Sequence, residues 1–201
     1  MKNAVRVIFF VFAAALIAFA TPPSKTLDNL QAAFNGESNA HARYLEFAKQ
    51  ADKDGYPSVA SLFRAAARAE EIHANNHAVV IKKLGGVPKA TMEKVVVKTT
   101  RENLEAAIKG ETYERDTMYP TFLKEARAAG NADAVQTFNY AKFAETQHAA
   151  LYTDALANLA SLKGKTQAYY VCTICGATTT KLDFTKCPSC FNPQHKYVKV
   201  I

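Results

Sequence analysis

The stretch that decides the fold is Gly110-Glu111-Thr112-Tyr113-Glu114-Arg115-Asp116-Thr117-Met118-Tyr119-Pro120. Its two glutamates lie three residues apart in a segment with the periodicity of a long helix. At spacings of 4, 3, 7 and 4 residues, one stripe of that helix is formed by Leu104, Ile108, Glu111, Met118 and Phe122. A carboxylate in an apolar stripe is costly unless a positive charge meets it, so the stretch predicts a buried cation site.

Three further segments have the same periodicity, and turn residues separate them. The predicted helices cover residues 26–54, 57–84, 99–129 and 132–162, and Pro120 is expected to bend the third. The first pair and the second pair are joined by short turns, whereas residues 85–98 form a longer middle connection. These features predict a mainly α protein, with a four-helix bundle of ferritin-like connectivity over residues 26–163.

Each predicted helix carries ionisable residues within its own apolar stripe. They are Glu37 on the first helix, Glu70 and His73 on the second, Glu111 and Glu114 on the third, and Glu145 and His148 on the fourth. Two helices thus carry Glu-x-x-His and two carry single glutamates, which is the arrangement of dimetal carboxylate bundles. A lone helical glutamate is usually a solvated surface residue. The twofold repeat instead predicts a pair of cations that offset five carboxylates.

Oxygen and nitrogen ligands of this kind favour iron or manganese over a purely structural metal. His41 and His77 fall on the same stripes, one turn beyond Glu37 and His73. We expect them to pack beside the site or in the core rather than to bind metal.

All four cysteines lie in a tail over residues 167–201. They form two C-x-x-C pairs, Cys172 with Cys175 and Cys187 with Cys190, and 11 residues separate the pairs. Four thiolates on two tight turns predict a tetrahedral site for iron, with zinc as an alternative. Two disulfides are the other alternative, since an exported protein meets oxidants.

The N-terminus has the pattern of a secretory signal peptide. Lys2 and Arg6 precede an apolar run over residues 7–20, which ends in Ala18-Phe19-Ala20. The sequence therefore predicts a signal peptide over residues 1–20 and an exported, periplasmic protein. An uncleaved membrane anchor is the alternative, although 14 apolar residues are short for a spanning helix.

The chain carries 25 basic and 18 acidic residues, for a net charge of +7. The basic residues are scattered, and no block of arginine and lysine is interleaved with aromatic residues. The composition therefore does not favour nucleic-acid binding.

Taken together, these residues resemble the rubrerythrin family across residues 26–201. The matching segments are Ala33-Phe34-Asn35-Gly36-Glu37-Ser38, Ala69-Glu70-Glu71-Ile72-His73, Gly110-Glu111-Thr112-Tyr113-Glu114, Ala144-Glu145-Thr146-Gln147-His148 and the paired cysteines. The resemblance implies a di-iron site in the bundle and a rubredoxin-like Fe(Cys)4 centre in the tail. The chain departs from the family pattern in two ways. The gap between its cysteine pairs is one residue shorter than usual, with Ala177-Thr178-Thr179-Thr180 in place of a more aromatic run. The second departure is the added leader at the N-terminus.

The resemblance also implies roles for individual residues. The di-iron ligands would be Glu37, Glu70, His73, Glu111, Glu114, Glu145 and His148, and the single iron would bind Cys172, Cys175, Cys187 and Cys190. Glu114 and His73 match the pair that the family exchanges at one iron between oxidation states. Tyr44 and Tyr119 match tyrosines that stand next to ligating carboxylates.

The implied activity is reduction of hydrogen peroxide to water, with electrons from a donor protein relayed through the cysteine-bound iron. The resemblance further implies a head-to-tail homodimer, in which one chain's cysteine iron lies close to the other chain's di-iron site. Two alternatives remain: a ferroxidase or iron-handling protein of the ferritin-like class, and a zinc-ribbon binding module on a vestigial bundle.

Overall fold

Helices make up most of the computed structural model, which describes residues 25–201. The long helices are α1 (Lys25–Lys53), α2 (Pro57–Lys83), α3 (Thr100–Tyr113), α4 (Tyr119–Ala128) and α5 (Ala132–Ala157), and a short α6 (Leu159–Leu162) follows α5. A π-helical turn, Glu114–Met118, joins α3 to α4. These helices confirm the predicted ferritin-like bundle, in which α3, the π-turn and α4 together form the third of the four helical segments. The predicted signal peptide, residues 1–20, lies outside the described residues.

The third and fourth helical segments are less regular than predicted. The third is interrupted by the π-turn, and Pro120 occupies the first turn of α4, where its missing N–H is tolerated. The fourth breaks at Asn158, so that Leu159–Leu162 forms a separate helical turn. In the part of the chain that the structure describes, no helix has the length and apolar character needed to cross a membrane.

The connection between α2 and α3 runs along α1 and is tied to it by amide side chains. Gln31 donates to the carbonyl of Val87 at 2.6 Å, and Asn39 accepts from the backbone N–H of Glu93 at 2.8 Å. Thr99 and Glu102 form a capping box that begins α3. The longer connection thus carries the chain to the start of α3 without a helix of its own.

The tail folds into a small antiparallel sheet of strands β1 (Tyr169–Cys172), β2 (Thr178–Thr179) and β3 (Tyr197–Val200), in the order β2-β1-β3. Tyr170 pairs with Thr179 on one side and with Lys199 on the other. The sheet packs on the bundle, because Tyr169 and Val171 belong to the same apolar cluster as Phe63 of α2.

Two apolar clusters fill the bundle, one towards each end. One contains Phe47, Phe63 and Tyr152, and the other contains Leu30 and Phe138. Along each of α1, α2 and α5, the predicted ligands fall between residues of the two clusters. The polar site therefore occupies the middle of an otherwise apolar core.

Candidate metal centre

Two adjacent groups of ligands lie inside the bundle. One group is Glu37, Glu70, His73 and Glu145, the other is Glu70, Glu111, Glu145 and His148, and all six of these residues are buried. Within each group the candidate ligand atoms lie within 4.8 Å of one another. Because Glu70 and Glu145 belong to both groups, the arrangement provides two neighbouring cation positions with two carboxylates between them.

The two Glu-x-x-His segments face each other with near-twofold symmetry. His73 Nδ1 is 2.9 Å from Glu70 Oε2 and 3.2 Å from Glu145 Oε1. His148 Nδ1 is 2.9 Å from Glu145 Oε2 and 3.3 Å from Glu70 Oε1. Each imidazole therefore presents Nδ1 to a carboxylate of its own helix and to one of the opposite helix.

The buried carboxylates retain oxygens with no hydrogen-bond partner. Among the described residues, these atoms are Glu37 Oε2, Glu70 Oε1, Glu111 Oε2 and Glu145 Oε1. An unpaired buried oxygen costs about 1–3 kcal/mol, and more when it is charged. Each of these four glutamates keeps one such atom, and all four belong to the two ligand groups, which fits a pair of iron ions.

Electrostatics inside the site show how strongly it needs positive charge. Burial raises the pKa of Glu111 to about 8, and Glu145 and Glu70 add to the effect. Burial opposes the charged form of His73, but Glu145 and Glu70 raise its pKa to about 10. Burial would likewise raise the pKa of Glu70, yet His148 and His73 hold it below its usual range. Without metal, protons on these groups supply the missing positive charge.

Two tyrosines, Tyr44 and Tyr119, hold the outer carboxylates in place. Tyr44 donates to Glu111 Oε1 at 2.5 Å, and Tyr119 donates to Glu37 Oε1. Both phenols are buried, which raises the pKa of each well above its usual value. They therefore remain protonated donors that orient their glutamates.

Glu114 lies beside the two groups rather than within either of them. Its Oε1 is 3.8 Å from the point where a Cβ would stand on Gly36, and the residue is half-buried. Burial and the charge of Glu111 raise the pKa of Glu114, while Arg43 opposes the shift. Of the seven predicted ligands, Glu114 is thus the one whose carboxylate is not gathered into the paired cluster.

The histidines that were not expected to bind metal lie outside both groups. His77 is buried between Thr137 and Tyr119, and burial lowers its pKa to about 3, with a further contribution from His73. His41 Nδ1 contacts the carbonyl of Ala67 at 2.7 Å.

The four cysteines form a third group of candidate ligands. All are free thiols, with Sγ atoms 3.7 Å apart for Cys172 and Cys190 and 3.6 Å apart for Cys175 and Cys187. The hydrogen bond from Cys175 lowers the pKa of Cys172 to about 5, although burial opposes the shift. Four converging sulfurs, one already favouring the thiolate, fit a single iron.

The cysteine group lies directly against the carboxylate cluster of the same chain. His73 Nε2 donates to the carbonyl of Cys175 at 3.2 Å, and His148 Nε2 contacts Thr178 Oγ1 at 3.0 Å. Gln147 Oε1 also accepts the backbone N–H of Thr178 at 2.8 Å. These bonds leave both Nδ1 atoms free for metal, as ligand-orienting partners do. A partner chain is not needed for this close approach, which differs from the predicted contact between chains.

Comparisons with known proteins agree with this geometry. The family profile for rubrerythrin matches residues 28–156. Nigerythrin of Nitratidesulfovibrio vulgaris is 39% identical over 178 residues, covering 88% of this chain and 87% of that protein. Rubrerythrin-2 of Clostridium acetobutylicum is 38% identical over 178 residues, covering 86% and 95%.

Solved structures show the same likeness. Fully reduced, all-ferrous nigerythrin superposes with a TM-score of 0.80 at 35% identity, over 92% of this chain and 91% of that one. Desulfovibrio desulfuricans bacterioferritin, described with a diiron site, gives a TM-score of 0.66 at 26% identity, over 71% and 88%. With a family profile across most of its length, and relatives this similar over nearly the whole chain, the protein belongs to the rubrerythrin family.

Proposed function

We propose that this protein reduces hydrogen peroxide to water at a di-iron site and receives its electrons through the cysteine-bound iron. The reaction consumes two electrons and two protons for each peroxide and yields two waters. When bound, the iron pair supplies the electrons that break the O–O bond. The seven predicted ligands, Glu114 included, hold and tune that pair in this proposal.

One observation carries the proposal: His73 links the carboxylate cluster of the bundle to the cysteine group of the tail. Its Nδ1 faces Glu70 and Glu145, and its Nε2 donates to the carbonyl of Cys175. Iron storage needs no second redox centre at hydrogen-bond distance from the first, whereas repeated peroxide reduction needs a route that returns electrons one at a time. The cluster itself is buried, so bulk water does not compete for the reacting oxygens.

Stopped-flow oxidation of the fully reduced protein tests this assignment. We expect peroxide to oxidise both iron sites much faster than dissolved oxygen does, with one equivalent consumed by the two electrons of the di-iron site and half an equivalent by the one electron of the cysteine-bound iron. Faster oxidation by oxygen, with iron retained as a growing ferric core, would instead identify a ferroxidase. That second candidate is favoured by the likeness to bacterioferritin.

Metal analysis separates a third candidate, a zinc-binding module on an inactive bundle. We expect about three irons per chain and the red colour of a ferric tetrathiolate. A colourless protein with zinc on the four cysteines would contradict the proposed electron route.

The electron donor in this proposal is an acidic one-electron carrier protein that approaches at Cys190. Residues 163–201 carry six lysines against one aspartate, whereas residues 25–162 carry 17 basic and 17 acidic residues. Cys190 and Phe191, whose side chain is 72% exposed, border a cavity of about 820 Å³ that also contacts Tyr140 and Phe143 of α5. Reduction of the tail by such a carrier should slow as salt rises, and Lys186→Glu should slow it at low salt.

We also propose that the protein is exported, on the pattern of Lys2, Arg6 and the apolar run that follows. The donor is then a periplasmic carrier. N-terminal sequencing of the protein from fractionated cells tests this: a new N-terminus near residue 21 in the periplasm is expected, and an intact Met1 in the cytosol contradicts it.

A further inference from the structure

A chain of hydrogen bonds extends from the metal cluster towards the surface behind Tyr119. Tyr119 donates to Glu37 Oε1, and His77 Nε2 lies 3.2 Å from the Tyr119 hydroxyl. On the other side of the ring, His77 Nδ1 lies 2.9 Å from Thr137 Oγ1. Helices α1, α4, α2 and α5 each contribute one of these four residues.

The hydrogen bonds all point the same way. Tyr119 has one hydroxyl hydrogen and gives it to Glu37, so the bond from His77 must be donated by Nε2–H. A neutral imidazole with hydrogen on Nε2 accepts at Nδ1, so Thr137 is the donor there. The order of donation is therefore Thr137 to His77, His77 to Tyr119, and Tyr119 to Glu37.

The outer end of this hydrogen-bond chain reaches a small cavity of mixed lining. Thr137 is 5% exposed and lines a cavity of about 130 Å³, whose other polar side chains are Asn76, Lys83, Asp133 and Gln136 and whose apolar side includes Val79 and Val80. Such a volume holds a few water molecules, and its polar lining gives them partners. The three inner residues are fully buried. Among these four residues, Thr137 is thus the one with exposed surface that water can reach.

Packing alone does not account for His77. The ring sits against Phe138 and Tyr119, with centroids 5.5 Å and 6.1 Å away, in an apolar cluster. A polar ring is costly there unless both nitrogens are bonded, and here both are. An aromatic hydrocarbon side chain would fill the same space without that requirement.

We propose that Thr137, His77 and Tyr119 relay protons from this cavity to Glu37 for the reduction of peroxide, an inference that rests on the proposed function. A water gives a proton to Thr137 Oγ1 as the hydroxyl hydrogen passes to His77 Nδ1. The Nε2 hydrogen passes to the Tyr119 oxygen, and the Tyr119 hydrogen passes to Glu37. One proton enters and one arrives, which leaves His77 with its hydrogen on Nδ1; a return of His77 to the Nε2–H tautomer, together with rotation of the hydroxyls, restores the starting order.

The test compares Thr137→Val, which keeps the shape but removes the hydroxyl, with Thr137→Ser, which keeps the hydroxyl. Thr146→Val is the matched control, because Thr146 lies on the same helix and bonds only the carbonyl of Lys142. General acid–base groups contribute roughly 10²- to 10⁴-fold to rates. We expect Thr137→Val to slow single-turnover oxidation by peroxide about tenfold or more and to change its solvent deuterium isotope effect. Thr137→Ser and the control should stay within about twofold of the original chain.

A second measurement does not depend on turnover. In the full chain loaded with diamagnetic zinc, ¹⁵N-histidine NMR reports the exchange of the His77 Nε2 hydrogen with solvent. We expect this exchange to slow in Thr137→Val and to recover in Thr137→Ser. Exchange and peroxide rates unchanged in Thr137→Val would overturn the relay. If exchange depends on Thr137 but the protein does not reduce peroxide, the relay stands and the proposed function fails.

Discussion

Glu70 and Glu111 lie in the same buried cluster but differ in protonation because their neighbours differ. Two imidazoles, those of His148 and His73, lower the pKa of Glu70 against the effect of burial, whereas burial raises the pKa of Glu111 and the charges of Glu145 and Glu70 add to that rise. The same residue type thus takes opposite protonation states within one cluster. Metal ions require the deprotonated forms, so binding must release the protons that the empty cluster holds.

This linkage makes the stability of the metal-free protein depend on pH. In the folded chain the pKa of Glu111 is about 8 and that of His73 about 10, against ordinary values of 4.5 and 6.5. A raised folded-state pKa gives stability that is complete below the unfolded value and lost as pH rises through the folded value. We expect the metal-free protein to lose up to about 1.4 kcal/mol per pH unit and per group between pH 6.5 and 8.

Thermal unfolding at a series of pH values measures this loss. The iron-loaded protein serves as the control, because the metal has already displaced those protons. Parallel curves for the two forms across this window would contradict the assignment of these protons to the cluster.

Gly176 determines whether the tail can lie against the bundle. Its φ is +77°, and a Cβ there would stand 2.2 Å from His73 Nε2. Gly176→Ala should therefore detach the tail and slow electron transfer to the di-iron site about tenfold or more, by loss of the positioned contact. Gly85→Ala is the control, since its φ is +78° but no atom lies within 4 Å. Both variants incur about 1 kcal/mol of backbone strain, so only the first should change the rate at which the tail iron is reoxidised after peroxide addition.

At the level of elements, the π-turn explains why the residues after Glu114 that face the core differ from those of the predicted apolar stripe. Glu111 and Tyr119 are both fully buried, although eight residues in a regular α-helix place side chains about 80° apart. One extra residue absorbed in the π-turn gives an effective spacing of seven, which returns Tyr119 to the same face. Downstream, Leu123 is therefore buried, whereas Met118 and Phe122, the predicted stripe residues, are only partly buried.

Deletion of Thr117 tests this account. Thr117 is exposed within the π-turn, so its removal should convert the turn to α-helix and keep Glu111 and Tyr119 on one face. We expect helix content and iron binding to be retained. Deletion of Ala107 in regular α3 should instead rotate Leu104 by about 100° relative to Glu111 and abolish iron binding. Equal damage from both deletions would show that the π-turn does not hold an extra residue.

The bundle and the paired ligands could be predicted from the sequence, because apolar and ionisable residues that recur at spacings of three and four lie on one face of a helix. The contact between tail and bundle could not be predicted in the same way. His73 is held by a backbone carbonyl, which leaves no trace in the sequence, and His148 is held by Thr178. Thr178 belongs to the segment Ala177-Thr178-Thr179-Thr180, which differs from the more aromatic segment of the usual rubredoxin-like tail. This unusual segment therefore contributes the hydroxyl that contacts His148, a candidate metal ligand.

On the scale of the whole molecule, the linker over residues 163–168 determines whether the tail packs on the bundle of its own chain or on that of a partner chain. In the described chain the linker is fixed to its own α1–α2 turn, since Gly164 N–H donates to the carbonyl of Gly55 at 2.9 Å and Ser58 N–H donates to that of Lys165 at 2.9 Å. Two such bonds are a small constraint, of about 1 kcal/mol each. Exchange of the tail between protomers preserves every other contact of the tail. A head-to-tail homodimer is therefore compatible with the same His73–Cys175 bond formed between chains.

Co-expression of two differently tagged variants, followed by tandem purification, tests that dimer. Cys175→Ser disables the tail centre of one chain, and Glu111→Ala disables the di-iron site of the other. In an exchanged dimer, the intact tail of the second chain lies against the intact di-iron site of the first. We expect the mixed dimer to recover about half of the peroxidase rate of the original dimer, because one of its two sites is complete. Each variant expressed alone should remain inactive. A mixed dimer with no activity, or failure of the two tags to co-purify, would mean that each tail serves its own bundle, as the contacts within the single chain already permit.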